Sequence, residues 1–319
     1  MNDPANIVFD PSLISTLAVG SVRTAKNNPD YLLTGIPQMD DHYVMLRPPR
    51  VTGVLADTSH GKTSIMNILA RNAIPQLKEN EVAVWATWED SIEDFGLNYI
   101  ANVSRIPIGS LFNGDLTVPQ WNDMMQAATA RAKSPLWAIG HSETHSARRP
   151  RLTMSDIWAA LEYIEDRQKK HVKILFLDYL QRINRADTGE KNTREGFVAI
   201  MDKVKDIGFA FNTIPVIGSQ IGRDIDQRKW KQPQVHDAQE TSNFEQTCDG
   251  IISLWLPKRT EKMGECLIQP SGMTKGVYVN ESLMMMQTLK QKKGRAPVLR
   301  SVSFYPSINE IGEYRREQT

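Results

Sequence analysis

Cysteine is nearly absent from this sequence. Of 319 residues only Cys248 and Cys266 carry a thiol, with no CxxC and no paired Cys/His spacing. That excludes a disulfide framework and a structural zinc site, and leaves two free thiols expected to be buried or half-buried. Long hydrophobic runs are missing as well: no stretch reaches the roughly 18 apolar residues that a membrane-spanning helix needs. Met1 to Pro11 holds neither a basic start nor an apolar run. The chain is therefore expected to be cytoplasmic, unprocessed and without membrane contact. Histidine is scarce, and its one suggestive pair, His141 and His145 in HxxxH spacing, falls in a polar loop, which disfavours a metal role. Excess charge of either sign is also lacking. Lys and Arg total 38 against 37 Asp and Glu, so the net charge of +1 gives no global pull toward nucleic acid, and such binding must come from local basic loops. There is no internal repeat and no low-complexity tract.

What is present is enough apolar residue, 40% of the chain, to bury a substantial core. Asp10 as N-cap, Pro11 at the first helical position and Leu13, Ile14, Leu17 and Val19 predict a short amphipathic helix, broken at Asn27, Asn28 and Pro29. From Val51 onward, apolar runs alternate with helical stretches, the pattern of a mainly parallel sheet with crossover helices. Strands are expected at Thr52 to Ala56, Glu81 to Thr87, Leu136 to Gly140, Lys173 to Asp178, Ile214 to Ser219 and Gly250 to Leu256. Helices are expected near Lys62 to Leu77, Ile92 to Val103, Pro119 to Lys133, Ser155 to Lys170 and Arg194 to Phe211. Ser282 to Leu289 and Val298 to Tyr305 read as two strands flanking a basic turn, Lys290 to Arg295. The simplest organisation is an N-terminal extension, residues 1–33, followed by one large α/β domain, residues 34–319.

Residues 56–64 read ADTSHGKTS, where an apolar strand ends and a helix begins. A Walker A phosphate loop requires that context. In such a loop the backbone N–H groups of Ala56, Thr58, Ser59, His60, Gly61 and Ser64 surround phosphates. Lys62 reaches the β and γ phosphates, and the Thr63 hydroxyl ligates Mg²⁺. Ala56 stands where the usual pattern has Gly, so the strict motif fails and the strand-to-helix context must supply the rest. Asp178 supplies most of it. The run Ile174, Leu175, Phe176, Leu177 is a buried strand ending in a carboxylate, as a metal-holding Walker B element does. Glu89, after the strand Val82 to Thr87, can orient or deprotonate an attacking water, with Asp90 competing for that role. Gln220 ends another apolar strand and can sense a γ-phosphate.

Taken in order, these segments resemble the C-terminal motor domain of DnaB-type replicative helicases. TGIPQMD at residues 34–40, FLDYLQRI at 176–183, GSQIGRDIDQR at 218–228 and ETSNFEQTCDGI at 240–251 carry the likeness, which runs from about Thr34 to Tyr305. The resemblance implies a RecA-like P-loop NTPase fold, a mainly parallel central sheet flanked by helices with an N-terminal helical extension. It implies ATP and Mg²⁺ as cofactors, a homo-hexameric ring with ATP sites between subunits, and translocation along single-stranded DNA from 5′ to 3′. A helicase loader or a primase are candidate partners. On the same basis Glu89 matches the catalytic glutamate, Gln220 the γ-phosphate sensor, and the helix around Leu13 to Val19 the linker that docks on a neighbouring subunit.

Three departures stand out. The chain has no room for the family's N-terminal collar domain, which puts ring assembly and primase contact by that route in question. The family's KQR segment, which reaches the neighbour's ATP, is here Lys290, Gln291 and Lys292; lysine lacks the planar fork of arginine, and Arg295 competes to replace it. Gln239 stands before Glu240 where the family's DNA-contact loop has Arg. Against that loss, Arg185, Lys191 and Arg194 in one loop and Arg223, Arg228 and Lys229 in another would line a pore with positive charge. The competing function is a RecA-like ATPase that works as an ATP-controlled ring or filament scaffold, loader or recombination accessory without unwinding.

Overall fold

The computed structural model describes residues 10–27, 29–42, 44–145, 152–190, 192–222, 225, 228, 231–238, 241–267, 276–292 and 294–314. Its helices are α1 (Pro11–Asn27), α2 (Pro37–Asp40), α3 (Lys62–Ala73), α4 (Ile92–Ser104), α5 (Ile108–Asn113), α6 (Val118–Ala132), α7 (Met154–Glu162), α8 (Thr193–Ala210) and α9 (Thr241–Thr247). The strands of the main sheet are β3 (Thr52–Ala56), β4 (Glu81–Thr87), β5 (Leu136–Ile139), β6 (His171–Asp178), β7 (Ile214–Gln220), β8 (Gly250–Trp255), β11 (Leu283–Gln291), β12 (Val298–Tyr305) and β13 (Glu310–Glu313). Two small hairpins pair β1 (Leu32–Leu33) with β2 (Met45–Leu46) and β9 (Cys266–Leu267) with β10 (Val277–Tyr278).

The main sheet runs β13-β12-β11-β8-β3-β7-β6-β4-β5. The six strands from β8 to β5 are parallel, and β11, β12 and β13 continue the sheet antiparallel. Parallel strands are covered on both faces, so their sequences are unbroken apolar runs whose alternate residues serve opposite cores. Ala83, Trp85, Ile174 and Phe176 face one core with Ile65, Met66 and Leu69 of α3. Val84, Leu175 and Leu177 face the other with α7 and with Ile200, Met201 and Val204 of α8. On the first face Trp85 stacks between Phe95 and Phe176, at centroid distances of 5.3 and 5.6 Å. Truncating Phe176 to Ala would cost about 3–5 kcal/mol, the usual loss for a buried ring.

Helix starts follow local chemistry. Ser91 with Asp94, Thr117 with Gln120, and Thr153 with Asp156 form reciprocal capping boxes at α4, α6 and α7. Asp10 caps α1 through the Leu13 amide at 2.8 Å. Leu13, Ile14, Leu17, Val19 and Val22 of that helix are exposed. No helix among the described residues is long and apolar enough to cross a membrane.

The differences from the sequence expectation lie mostly at boundaries. The long helix expected over Ser155 to Lys170 is α7 followed by a wider π turn, Tyr163–Arg167. The expected basic turn Lys290 to Arg295 begins too early: Lys290 and Gln291 belong to β11, paired with Ile251 and Gly250 across a register shift. The antiparallel β13, built of EIGE, and the short α5 and α9 carry too little apolar periodicity to be read from sequence.

Candidate active site

Four strand ends meet at one edge of the parallel sheet. The loop after β3 carries residues 57–61, β4 leads to Glu89, β6 ends in Asp178 and β7 ends in Gln220. Ala56 lies within β3, fully buried, with its carbonyl accepting the Ile221 amide at 3.2 Å. An extended residue has no need of glycine, which explains why the departure from the strict motif is tolerated. The left-handed turns fall later, at Ser59 (φ 62°) and Gly61 (φ 85°). A Cβ at Gly61 would meet only the flexible end of Met284, Cε at 2.9 Å, so it is the backbone φ that favours glycine there. Lys62 then opens α3.

The Thr63 hydroxyl donates to Asp178 Oδ2 at 2.7 Å, and Lys62 Nζ lies 3.5 Å from Asp178 Oδ1. Burial pushes the Asp178 carboxyl above the usual carboxylate range, opposed by Lys62 and the Thr63 hydroxyl. Burial likewise pushes the Lys62 ammonium below the usual lysine range, opposed by Asp178. Asp178 Oδ1 is buried and makes no hydrogen bond among the described residues. A cleft of ≈ 380 Å³ opens beside this group, lined by Thr58, Ser59, Gly61, Lys62, Thr63, Ser64, Glu89 and Gln220 among others. His60 turns away from it: its Nδ1 accepts the Leu256 amide at 3.2 Å, and burial lowers its pKa.

Two side chains not singled out from sequence organise the cleft. Tyr179 places its ring under Lys62 Nζ, 3.2 Å from the centroid, and its hydroxyl accepts from Gln220 Nε2 at 3.2 Å and Arg182 Nε at 3.1 Å. Arg182 also pairs with Glu89 Oε1 at 3.3 Å. A cation and a hydrogen-bonding aromatic close behind a strand-end carboxylate were the available signal. The opposite wall, with Lys258, Arg259, Glu281 and Phe304, has no local motif because it is assembled from separate segments.

The remaining sequence candidates lie elsewhere. Lys290 Nζ donates to the Glu245 carbonyl at 2.6 Å, and Lys292 Nζ pairs with Asp249 at 3.0 Å, both at the other end of the sheet. Arg185 lies over the Phe197 ring at 5.3 Å, and Arg194 sits in the first turn of α8. Arg228 is held inside the chain by a fork onto Asp237, which is buried. Lys191, Arg223, Lys229, Gln239 and Glu240 fall outside the described residues.

A family model for the DnaB-like helicase C terminal domain matches residues 32–301. The chain belongs to this family. It is similar to replicative DNA helicase DnaB of Geobacillus stearothermophilus, 25% identical over 234 residues that cover 72% of this chain and 49% of that one. It is also similar to replicative DNA helicase DnaC of Bacillus subtilis, 24% identical over 284 residues covering 89% and 56%. The chain thus spans about half the length of these curated relatives. Among solved structures, one described as an ATPase domain matches with TM-score 0.78 and 16% identity, over 96% of this chain and 100% of that one. A DnaB-like replicative helicase, whose structure was described with its interactions with primase, matches with TM-score 0.77 and 17% identity, over 98% and 69%. The fold is that of the RecA-like P-loop NTPases.

Proposed function

We propose that the chain is the ATP-hydrolysing motor of a DnaB-type DNA helicase, residues 34–319 forming the motor and residues 1–33 an extension that tethers neighbouring copies. The observation that carries this reading is the convergence of Thr63 and Lys62 on Asp178, 115 residues away from Thr63 in sequence, at distances of 2.7 and 3.5 Å beside an open cleft. The donor set fits Mg²⁺. Thr63 and Asp178 offer hard oxygen ligands, and Asp178 Oδ1 lacks a hydrogen-bond partner among the described residues. When bound, the ion would neutralise charge on the β and γ phosphate oxygens.

The protein's own groups do the rest. Backbone amides of residues 58–64 and the N-terminus of α3 surround the triphosphate. Lys62 holds its terminal phosphates, and Glu89 takes a proton from the attacking water. Gln220, now bonded to Tyr179, turns its amide to the γ-phosphate and registers its loss. The exposed apolar residues of α1 suit docking on an adjacent copy, and a hexamer would ring single-stranded DNA with Arg185 and Arg194 toward the channel. A loader or primase would act on that ring.

The test is ATP turnover with and without single-stranded DNA, together with opening of a forked duplex carrying a 5′ tail. Stimulated turnover and fork opening are expected. Turnover indifferent to DNA, with assembly intact, would favour an ATP-controlled scaffold or loader instead.

A further inference from the structure

The imidazole of His60 lies in the phosphate loop but has no part in the mechanism proposed above. Residues 57–61 join the end of β3 to α3, and Ser59 and Gly61, on either side of His60, both have positive φ, 62° and 85°. For Ser59 that backbone is strained, and such a conformation persists only where its surroundings fix it. Inside the loop the His60 amide donates to the Asp57 carbonyl at 3.1 Å, and the Thr58 amide to the Asp57 carboxylate at 2.6 Å. Among the described residues, a single side-chain hydrogen bond ties residues 57–61 to another segment: His60 Nδ1 accepts the Leu256 amide at 3.2 Å.

Both ends of this bond are buried. His60 is 4% exposed and Leu256 5%, so the amide has no water to turn to if its acceptor is lost. β3 and β8 pair in parallel as far as Ala56 and Leu254. Leu256 lies two residues past that ladder, where the imidazole supplies the acceptor. Beyond it the chain turns through Pro257, Lys258 and Arg259, and Leu256, Lys258 and Arg259 line the wall of the cleft opposite the phosphate loop. One bond therefore joins the two walls. Accepting at Nδ1 requires a ring with no proton there. Burial lowers the pKa of the ring, with Asp57 of its own loop opposing and Arg259 of the facing turn assisting, which favours that form.

We infer that His60 is a positioning residue for the nucleotide: through its bond to Leu256 it holds the phosphate loop in the curve that surrounds phosphates and sets its distance from the Lys258–Arg259 wall. The ring faces away from the cleft and acts through the loop backbone. The inference rests on the phosphate-site reading proposed above and adds a residue to it.

The experiment compares the wild type, His60→Asn and His60→Leu by ATP-analogue affinity, by KM and kcat, and by thermal unfolding without nucleotide. The Asn carboxamide oxygen, like Nδ1, is two bonds from Cβ and can accept the same amide, whereas leucine fills similar space and cannot. The loop serves ground and transition states alike, so loss of one hydrogen bond should raise KM and the analogue Kd about fivefold in His60→Leu, with kcat at saturating ATP falling by less. His60→Asn should recover most of that affinity. If His60→Leu does not fold, His60→Met takes its place, since its flexible side chain fills irregular space without an oxygen or nitrogen acceptor. Wild-type affinity in the folded apolar variant overturns the inference alone. An Asn variant that binds as poorly as the apolar one, while melting like the wild type, does the same. A fall in kcat with affinity intact places His60 in the chemistry and overturns its positioning role. A wild-type chain that binds no ATP analogue overturns the phosphate site and the inference together.

Discussion

The two ends of the parallel sheet handle charge in opposite ways. At the strand C-termini each central group has a partner inside the chain: Lys62 and Thr63 on Asp178, Arg182 on Glu89, Gln220 and Arg182 on Tyr179. At the strand N-termini the Arg50 guanidinium makes no hydrogen bond or ion pair among the described residues, although Lys292 and Asp249 pair in the same pocket. A fully buried cation needs compensation inside the chain, whereas a half-buried one such as Arg50 keeps access to water. The first end is compensated from within the chain. The second leaves the Arg50 guanidinium to solvent.

The largest effect should come from breaking the compensated end at its centre. Lys62→Ala removes the ammonium facing both the cleft and Asp178, so turnover should fall at least about a hundredfold and nucleotide affinity should weaken with it. Steady-state hydrolysis and ATP-analogue binding measure the two. Glu89→Gln should separate them. The amide keeps shape but cannot accept a proton, so turnover should drop about a hundredfold while analogue binding survives. Ordinary turnover in Glu89→Gln would move the base elsewhere in the site, with Asp90 the next candidate.

Much of the compensated end was legible because its determinants are local. A strand buried on both faces must be an unbroken apolar run, so Val82 to Thr87 and Ile174 to Asp178 declare both their extent and the polar residue at their tip. The Gly61, Lys62, Thr63 turn is likewise fixed by backbone geometry that few other residues can adopt. The opposite end was legible only at Lys290 to Lys292, since Arg47, Arg50 and Thr288 join it from separate segments with no spacing rule among them. Lys290 and Gln291 were misread as turn because charged residues at a strand end break the apolar pattern, although their backbones still pair with β8. Arg228 looked like a mobile surface cation in a basic run, and only the fold brings Asp237 to it. Arg182 and Tyr179 were passed over for a related reason: their role depends on Glu89 and Gln220, which topology alone places nearby.

A finer cut at the same comparison targets that network. Tyr179→Phe keeps the ring beneath Lys62 but removes the oxygen that accepts from Gln220 and Arg182. One hydrogen bond contributes about 1 kcal/mol, so kcat should fall about fivefold with analogue affinity unchanged. Arg182→Ala should cost a similar amount. Because both act through one hydroxyl and one carboxylate, the double variant should lose little more than either single one. Additive losses would mean that the two side chains act independently and that Tyr179 is no hub.

The smallest effect concerns Asp90, the half-buried carboxyl next to Glu89. Burial, then the neighbouring carboxylates Asp178, Glu89 and Asp94, push its pKa up to about 6, with Lys62 opposing. Its backbone is fixed by the Thr87 hydroxyl, which accepts the Asp90 amide and donates to the Asp90 carbonyl, each at 3.1 Å. A raised carboxyl pKa means the folded state holds its proton after the unfolded chain has lost it. Stability from this group is therefore complete below about pH 4, declines as pH rises to about 6, and stays reduced above that. Asp90→Asn removes the penalty, so the melting temperature should rise about 2–4 °C at pH 7.5 and not at pH 4. Turnover should persist, since Glu89 remains. A variant that gains stability at neutral pH yet loses hydrolysis, while Glu89→Gln retains it, would exchange the roles of the two acids.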